Sequence, residues 1–400
     1  MKASWRVTQV AFLLLSVALG TASPAVADAG VFTGNGQNLR QITSKTIQLV
    51  TIDVAIILGR GPFLFDGTVA GMDQAEYKCT FVLRNLSDRE EDVQVGFPVD
   101  SEFAQEYRRD SAKGSKRWVL DYGFIARDEK MTYNVEFVRR KPRSGPGEFG
   151  TVFVWNMHFV PKESKSLSVQ YRIPMSMGLV STRKDESATG PRVQGLSQEL
   201  LDIAQLESVG YITSTGSSWA GSVETATFTV ITEPFERYLR QRGFADKLTT
   251  TMSPKEAARF NSSFPVHYPW WFRQITPAGW QRVDGGIEWH YKDFKPSDPI
   301  EVRYYMTQLP QLPEEVDAFV DGFLQDLEPD ESVANELFSL RQILLATYGK
   351  EPEDKAAKEF ASEQLWYAPQ KDFSMALLSE AQQAVLKKID ARIEALKKAK

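Results

Sequence analysis

Hydrophobic positions recur at every second residue along most of this chain, from about Thr46 to Met306. Tyr77, Cys79, Phe81 and Leu83 alternate with Lys78, Thr80, Val82 and Arg84. Val93, Val95 and Phe97 alternate with Gln94 and Gly96; Met131, Tyr133, Val135 and Phe137 alternate with Thr132, Asn134 and Glu136. Leu167 to Ile173 and Ile300 to Met306 repeat the pattern. A period of two with one wet face is the signature of antiparallel sheets. Turn-forming clusters, Asn85-Leu-Ser-Asp88 and Pro142-Arg-Ser-Gly-Pro-Gly147, separate the runs and predict a β-sandwich. Two stretches break the period. Residues 181–195 are polar and read as a mobile loop, and residues 234–261 read as a helical insertion with a cap at Ser253 before Pro254.

After Pro310 the period lengthens to 3.6. One helix is predicted to start at Pro313, a second to run from Ser332 to Tyr348 and a third from Lys355 to Ser362. A fourth is predicted from Leu378 to Lys398. Val333, Leu337, Leu340 and Leu344 share one face of the second, and Gly349 stops it. Lysines at 397, 398 and 400 suit the negative end of the fourth. The expected class is α+β, an antiparallel β-sandwich with helical insertions followed by a small all-α domain. The expected boundaries are 1–27 for a leader, 28–309 for the sandwich, with room for two sub-domains, and 313–400 for the helices.

The leader rests on its own pattern. Lys2 and Arg6 precede an uncharged apolar run from Val10 to Leu19, and Ala25-Val26-Ala27 has the small residues of a cleavage site. The run is shorter than the roughly 20 apolar residues that a spanning helix needs. A cleaved secretory signal predicts a periplasmic or secreted protein, with no transmembrane anchor after cleavage. The formal charge is -5, and removing Lys2 and Arg6 takes it to -7. This mild acidity argues against a nucleic-acid partner, which calls for a strongly basic face. Cys79 is the only cysteine, so no intramolecular disulfide forms, and its place on the apolar side of an alternating strand predicts a buried small hydrophobe.

Two family resemblances follow from particular residues. Leu340-Arg-Gln-Ile-Leu-Leu-Ala-Thr-Tyr-Gly349, Phe360, Trp366-Tyr-Ala-Pro369, Phe373, Leu378 and Glu380 resemble the YARHG domain of exported bacterial proteins. The name-giving Arg and His are absent, since the chain reads Leu345-Ala-Thr-Tyr-Gly349. The resemblance implies an extracytoplasmic module with no catalytic residue to carry over. Phe81 to Pro98, Tyr211 to Phe228 and Gly285 to Val302 are similar to an uncharacterised family of exported bacterial β-sandwich domains. The first of these elements is also similar to the vault/inter-alpha-trypsin type of β-domain.

No catalytic set is legible. The three histidines, His158, His267 and His290, are scattered among aromatics, with no His-x-x-x-His or Cys-x-x-Cys spacing for a metal. There is no Gly-x-Ser-x-Gly elbow, and Gly34-Asn-Gly-Gln-Asn-Leu39 lacks the remainder of a dinucleotide loop. No cofactor is implied. Asn85-Leu-Ser and Asn261-Ser-Ser read as chance glycosylation triplets. The basic run Arg139-Arg-Lys-Pro-Arg143 reads as a solvated turn, with an anionic envelope surface as its alternative. Flat rings concentrate around Tyr268, Trp270 and Trp271, and again at Trp366 and Tyr367. Exposed rings stack on sugars or hold apolar ligands, which makes these five the candidate binding residues; packing in the core is the competing reading. The leading expectation is a non-enzymatic envelope protein that binds envelope polysaccharide or envelope protein. Its rival is a hydrolase of envelope polymers whose carboxylates meet only in the fold.

Overall fold

The structure is a computed structural model. It describes residues 26–27, 29–33, 40–65, 68–100, 119, 122–139, 151–181, 183, 203–234, 270–295, 298–307, 317–318, 320–321, 331–364, 367, 369, 371, 373–378 and 380–398. In chain order the first strands are β1 (Val26–Ala27), β2 (Gly30–Thr33), β3 (Arg40–Gln41), β4 (Ile47–Phe65), β5 (Thr68–Asn85) and β6 (Glu91–Asp100). Next come β7 (Ile125–Arg127), β8 (Glu136–Arg139), β9 (Thr151–Phe159), β10 (Ser164–Pro174), β11 (Ser176–Ser181) and β12 (Ile203–Tyr211). Then follow β13 (Val223–Ile231), β14 (Trp270–Thr276), β15 (Gln281–Val283), β16 (Gly286–Phe294) and β17 (Ile300–Thr307). The α-helices with both ends among the described residues are α1 (Glu331–Ala346), α2 (Lys355–Ser362) and α3 (Glu380–Lys398). The architecture is α+β, as the change of period predicts.

The strands form three sheets. One runs β3-β2-β6-β9-β8 with β1 also paired to β6; one runs β15-β16-β13-β4-β5-β10-β7; the third runs β11-β12-β17-β14. The pattern of two sorts residues as expected in the long strands. Tyr77, Cys79, Phe81 and Leu83 point inward, as do Leu167, Val169, Tyr171 and Ile173 of the neighbouring β10. Cys79 is a buried free thiol. The first two sheets pack face to face through a layer of rings. Tyr77 stacks on Tyr171 with centroids 4.5 Å apart, Phe97 meets Tyr171 edge-on at 5.1 Å, and Phe124 stacks on Phe153 at 4.1 Å. Offset and edge-on pairs of this kind add to the gain from burial alone.

Two features depart from the expected pattern. The seven-stranded sheet is not wholly antiparallel, because β13 lies parallel to β4, with Phe228 opposite Val54. The strand expected over Met131 to Phe137 forms only from Glu136; before it stands a single bridge between Arg127 and Thr132. Tyr133 and Phe137 are buried, but Met131 is 55% exposed. The cause is a turn. Asp128 Oδ1 accepts the backbone N–H groups of Lys130 and Met131 at 2.8 Å each, so Met131 closes a loop instead of opening a strand.

The third sheet and the amino end are tied in by specific bonds. Tyr77 donates its hydroxyl to Gly210 O at 2.8 Å. The indole of Trp219 donates to Ala29 O at 3.1 Å, and Val31 N–H donates to Ser218 Oγ at 2.9 Å, which clasps β2 to a short 3-10 turn at Ser214–Ser218. In the helical region the predicted face of α1 is buried. Gly349 ends its turn at φ +89°, a conformation that favours glycine. Asp354 caps α2 by accepting Ala357 N–H at 2.7 Å. Arg341 reaches Asp390 of α3 at 2.6 Å, and Arg183 joins Glu363 beyond α2 at 3.1 Å. The expected insertion over 234–261 lies outside the described residues except for Pro234, and the loop over 181–195 except for Ser181 and Arg183. Among the described residues no helix is long and apolar enough to cross a membrane.

Candidate functional site

An open groove of about 690 Å³ lies at the edge of the six-stranded sheet. It falls within the few hundred to a thousand Å³ of ordinary small-ligand sites. Thr33, Ile42 and Lys45 stand on one wall and Asp92, Gln94 and Asn156 on the other. The groove exists because β2 is short. It pairs with β6 only as far as Phe32↔Gln94, then yields to β3, which pairs with the far side of β2.

Each wall is fixed by local bonds. On one side Ile42 N–H donates to Val31 O at 2.9 Å and Ser44 N–H to Ser218 O at 2.7 Å. Ser44 Oγ then accepts the N–H groups of Thr46 and Ile47, turning the chain into β4. On the other side fully buried Asn85 shapes the turn into β6. Its amide nitrogen donates to Arg89 O at 2.7 Å and Val160 O at 3.0 Å, and its oxygen accepts Ser87 N–H at 2.9 Å. That nitrogen is committed to the fold; Asn261 lies outside the described residues.

The floor shows which groups are unspent. Val31 turns its N–H to Ser218 and its C=O to Ile42, away from β6. Gly30 and Phe32 therefore face β6, and Gln94 and Gly96 face β2 in return. By the same alternation the backbone of Asp92 points to that side, one step past the end of β2 and into the groove. Gln94 Oε1 is buried and has no hydrogen-bond partner among the described residues. Lys45 has no acidic partner among the described residues. Asp92 Oδ1 lies 2.9 Å from His158 Nδ1, a solvent-exposed pair. Phe32 closes the inner end. It is 2% exposed and lies across Gly96, where an added Cβ would stand 2.2 Å from its ring. Glycine inside a strand signals such a close approach.

A second polar patch covers the open face of the seven-stranded sheet. His290, Thr227, Asp53, Thr80, Ser168 and Arg127 stand in one cross-strand row. Thr227 Oγ1 lies 3.0 Å from His290 Nδ1, and Thr229 Oγ1 lies 3.4 Å from Glu288 Oε2. Partial burial, then the neighbouring Glu288 charge, holds the Asp53 carboxyl above its ordinary range. The two carboxylates share an exposed sheet face, not a cleft. Among the described residues no group of three or more His, Cys, Asp or Glu could hold a metal ion.

The aromatic candidates lie elsewhere. Trp270 and Trp271 belong to β14, opposite Met306 and Tyr305 of β17 in the four-stranded sheet. Tyr268, Trp366 and His267 lie outside the described residues. Tyr367 is partly buried against the core; burial first, then Glu351, pushes its hydroxyl up to about 12. Of the neighbouring rings, Trp289 is buried and donates its indole N–H to Pro277 O at 2.8 Å, and Trp280 and Tyr291 pack against the core. Sequence reasoning did not single out Lys45, Asp92 or Gln94. Gly96 carried the one available signal, an isolated glycine in an alternating strand.

No protein-family model matches this sequence, and no curated protein matches it. Among solved structures the chain is similar to a Legionella pneumophila protein provisionally assigned to nutrient binding. That likeness has 16% identity and a TM-score of 0.40, covering 91% of this chain and 99% of the other. It is also similar to an M1 zinc metallopeptidase from Deinococcus radiodurans, at 10% identity and a TM-score of 0.22, over 66% of this chain and 43% of that one. Likenesses this distant carry no functional argument, and the reading below rests on the groove.

Proposed function

We propose that this chain is an exported, non-enzymatic binding protein of the bacterial envelope that takes a polar ligand into the groove between Lys45 and Asp92. One observation carries the reading: a formed groove is lined by Gln94, whose Oε1 has no hydrogen-bond partner among the described residues, and by Asp92, which lies past the last described β2–β6 pair. A buried acceptor without a donor costs free energy on the order of 1–3 kcal/mol. A ligand that supplies the donor recovers it. The signal-like pattern of residues 1–27 supports export, and the YARHG resemblance of the carboxyl region supports an extracytoplasmic setting.

The test is calorimetric titration of the purified exported chain with free amino acids, short peptides and soluble cell-wall oligosaccharides. Wild type should bind at least one class. The double variant Lys45→Glu/Gln94→Leu should lose at least tenfold in affinity while keeping its melting temperature within a few degrees. Binding that the double variant leaves unchanged moves the site elsewhere and sinks the proposal. Export is checked separately by fractionating cells that express the chain with and without residues 2–27.

A further inference from the structure

We infer that the ligand class is an extended peptide, added as a short strand to the open edge of β6; this rests on the binding reading above. An unpaired strand edge is a template for another chain, because its N–H and C=O groups already stand in ladder geometry. Among the described residues no strand pairs with this edge at Asp92: the last β2–β6 pair is Phe32↔Gln94, and the backbone of Asp92 faces the groove by the alternation established at Gln94 and Gly96. Beyond the Phe32↔Gln94 pair the edge runs from Val93 to Glu91 and matches an occupant of at most roughly three residues, at about 3.4 Å each. Gln94 lines the groove beside that edge, and its buried Oε1, unpartnered among the described residues, can meet a peptide N–H once the amide turns toward the groove.

The walls favour a peptide over a sugar. Sugar sites present ring faces, and the one ring among the described lining residues, Phe32, is buried across Gly96. The charges are bipolar instead. Lys45 stands on one wall, with Glu91 and Asp92 on the other, which suits a chain with a free carboxylate and a free ammonium group. Ile42, 38% exposed on the rim, offers an apolar contact to an alternate side chain.

The experiment uses the full exported chain and a degenerate mixture of free-ended tetrapeptides at millimolar total concentration. A second mixture is N-methylated at alternate backbone amides, and a third arm uses chitotetraose. Hydrogen exchange read residue by residue should show the Asp92 amide slowed at least tenfold by the first mixture, and little changed by the second. Asp92→Pro removes the edge donor but leaves the β6–β9 ladder, because that N–H points away from β9. It should lose at least tenfold in peptide affinity, and more than Asp92→Asn, which removes the wall charge but keeps the edge N–H. Should Asp92→Pro lower the melting temperature appreciably, the N-methylated arm decides. No protection of Asp92 by the peptide mixture, or equal binding of the N-methylated mixture, overturns strand addition. Chitotetraose binding in the groove without peptide binding overturns strand addition and leaves the groove reading standing. Peptide binding that protects only residues away from β6 overturns both.

Discussion

At the scale of single residues, Gly96 is the most constrained position near the groove. A methyl group there meets the ring of Phe32 at 2.2 Å, and that ring is packed in a small cluster with Val152 and Val154. Gly96→Ala should cost about 1–3 kcal/mol, the usual penalty of overpacking. The urea midpoint reads the loss, and the groove should lose affinity in parallel because Phe32 closes its inner end. Asp128 is the second such residue. Burial pushes its carboxyl up, but the Tyr133 hydroxyl at 2.6 Å, the N–H groups of Lys130 and Met131, and the Lys165 charge outweigh this and hold it below the ordinary range. A depressed native value means that the ionised form stabilises the fold. That contribution is present above the unfolded value of about 4 and is lost as pH falls through the native value. Melting curves between pH 5 and pH 2 should therefore show an acid-sensitive limb that Asp128→Asn flattens. An unchanged slope in the variant would assign the acid sensitivity to other groups.

At the scale of elements, the strands written as clean alternations were legible, and their buried sides match for β5, β6 and β10. So were α1, stopped at Gly349, and α2, capped by Asp354. The segment from Met131 was not, because the Asp128 turn competes locally with strand pairing and wins with two short bonds. Nor was the parallel pairing of β4 with β13, since alternation fixes which side of a strand is wet but not the direction of its neighbour. The clasp on β2 makes its own prediction. Trp219→Phe keeps the ring but leaves Ala29 O, in a residue only 1% exposed, without the indole donor. Losing one such hydrogen bond costs about 0.5–1.5 kcal/mol net. The variant should lose that much in urea unfolding, and limited proteolysis should cut first between residues 26 and 45. A cut pattern identical to wild type would show that the other contacts of β2 suffice.

At the scale of the whole molecule, the groove is a product of placement, not of any local signature. Lys45 and Gln94 are separated by the whole β4–β5 hairpin, and each reads in sequence as an ordinary polar position. What brings them together is the point at which a four-residue strand stops along a ten-residue one. Rings and histidines attract attention in a sequence because their chemistry is conspicuous. Here the rings that can be placed mostly serve packing, as Trp289 and the Tyr77–Tyr171 stack show. The helical region joins the sheets through the Arg183–Glu363 pair and a bridge between Arg183 and Gln364.

The clasp also sets an order of assembly. Ala29 and Val31 are bound by Trp219 and Ser218, across sequence separations of 190 and 187 residues. Contacts that span such distances close late, because the intervening loop must first be ordered. A chain threaded through a membrane amino end first would deliver β2 long before its latch. The earliest strand would then wait, unlocked, until nearly half the polypeptide had followed, and the groove that β2 borders would be among the last parts of the molecule to take shape.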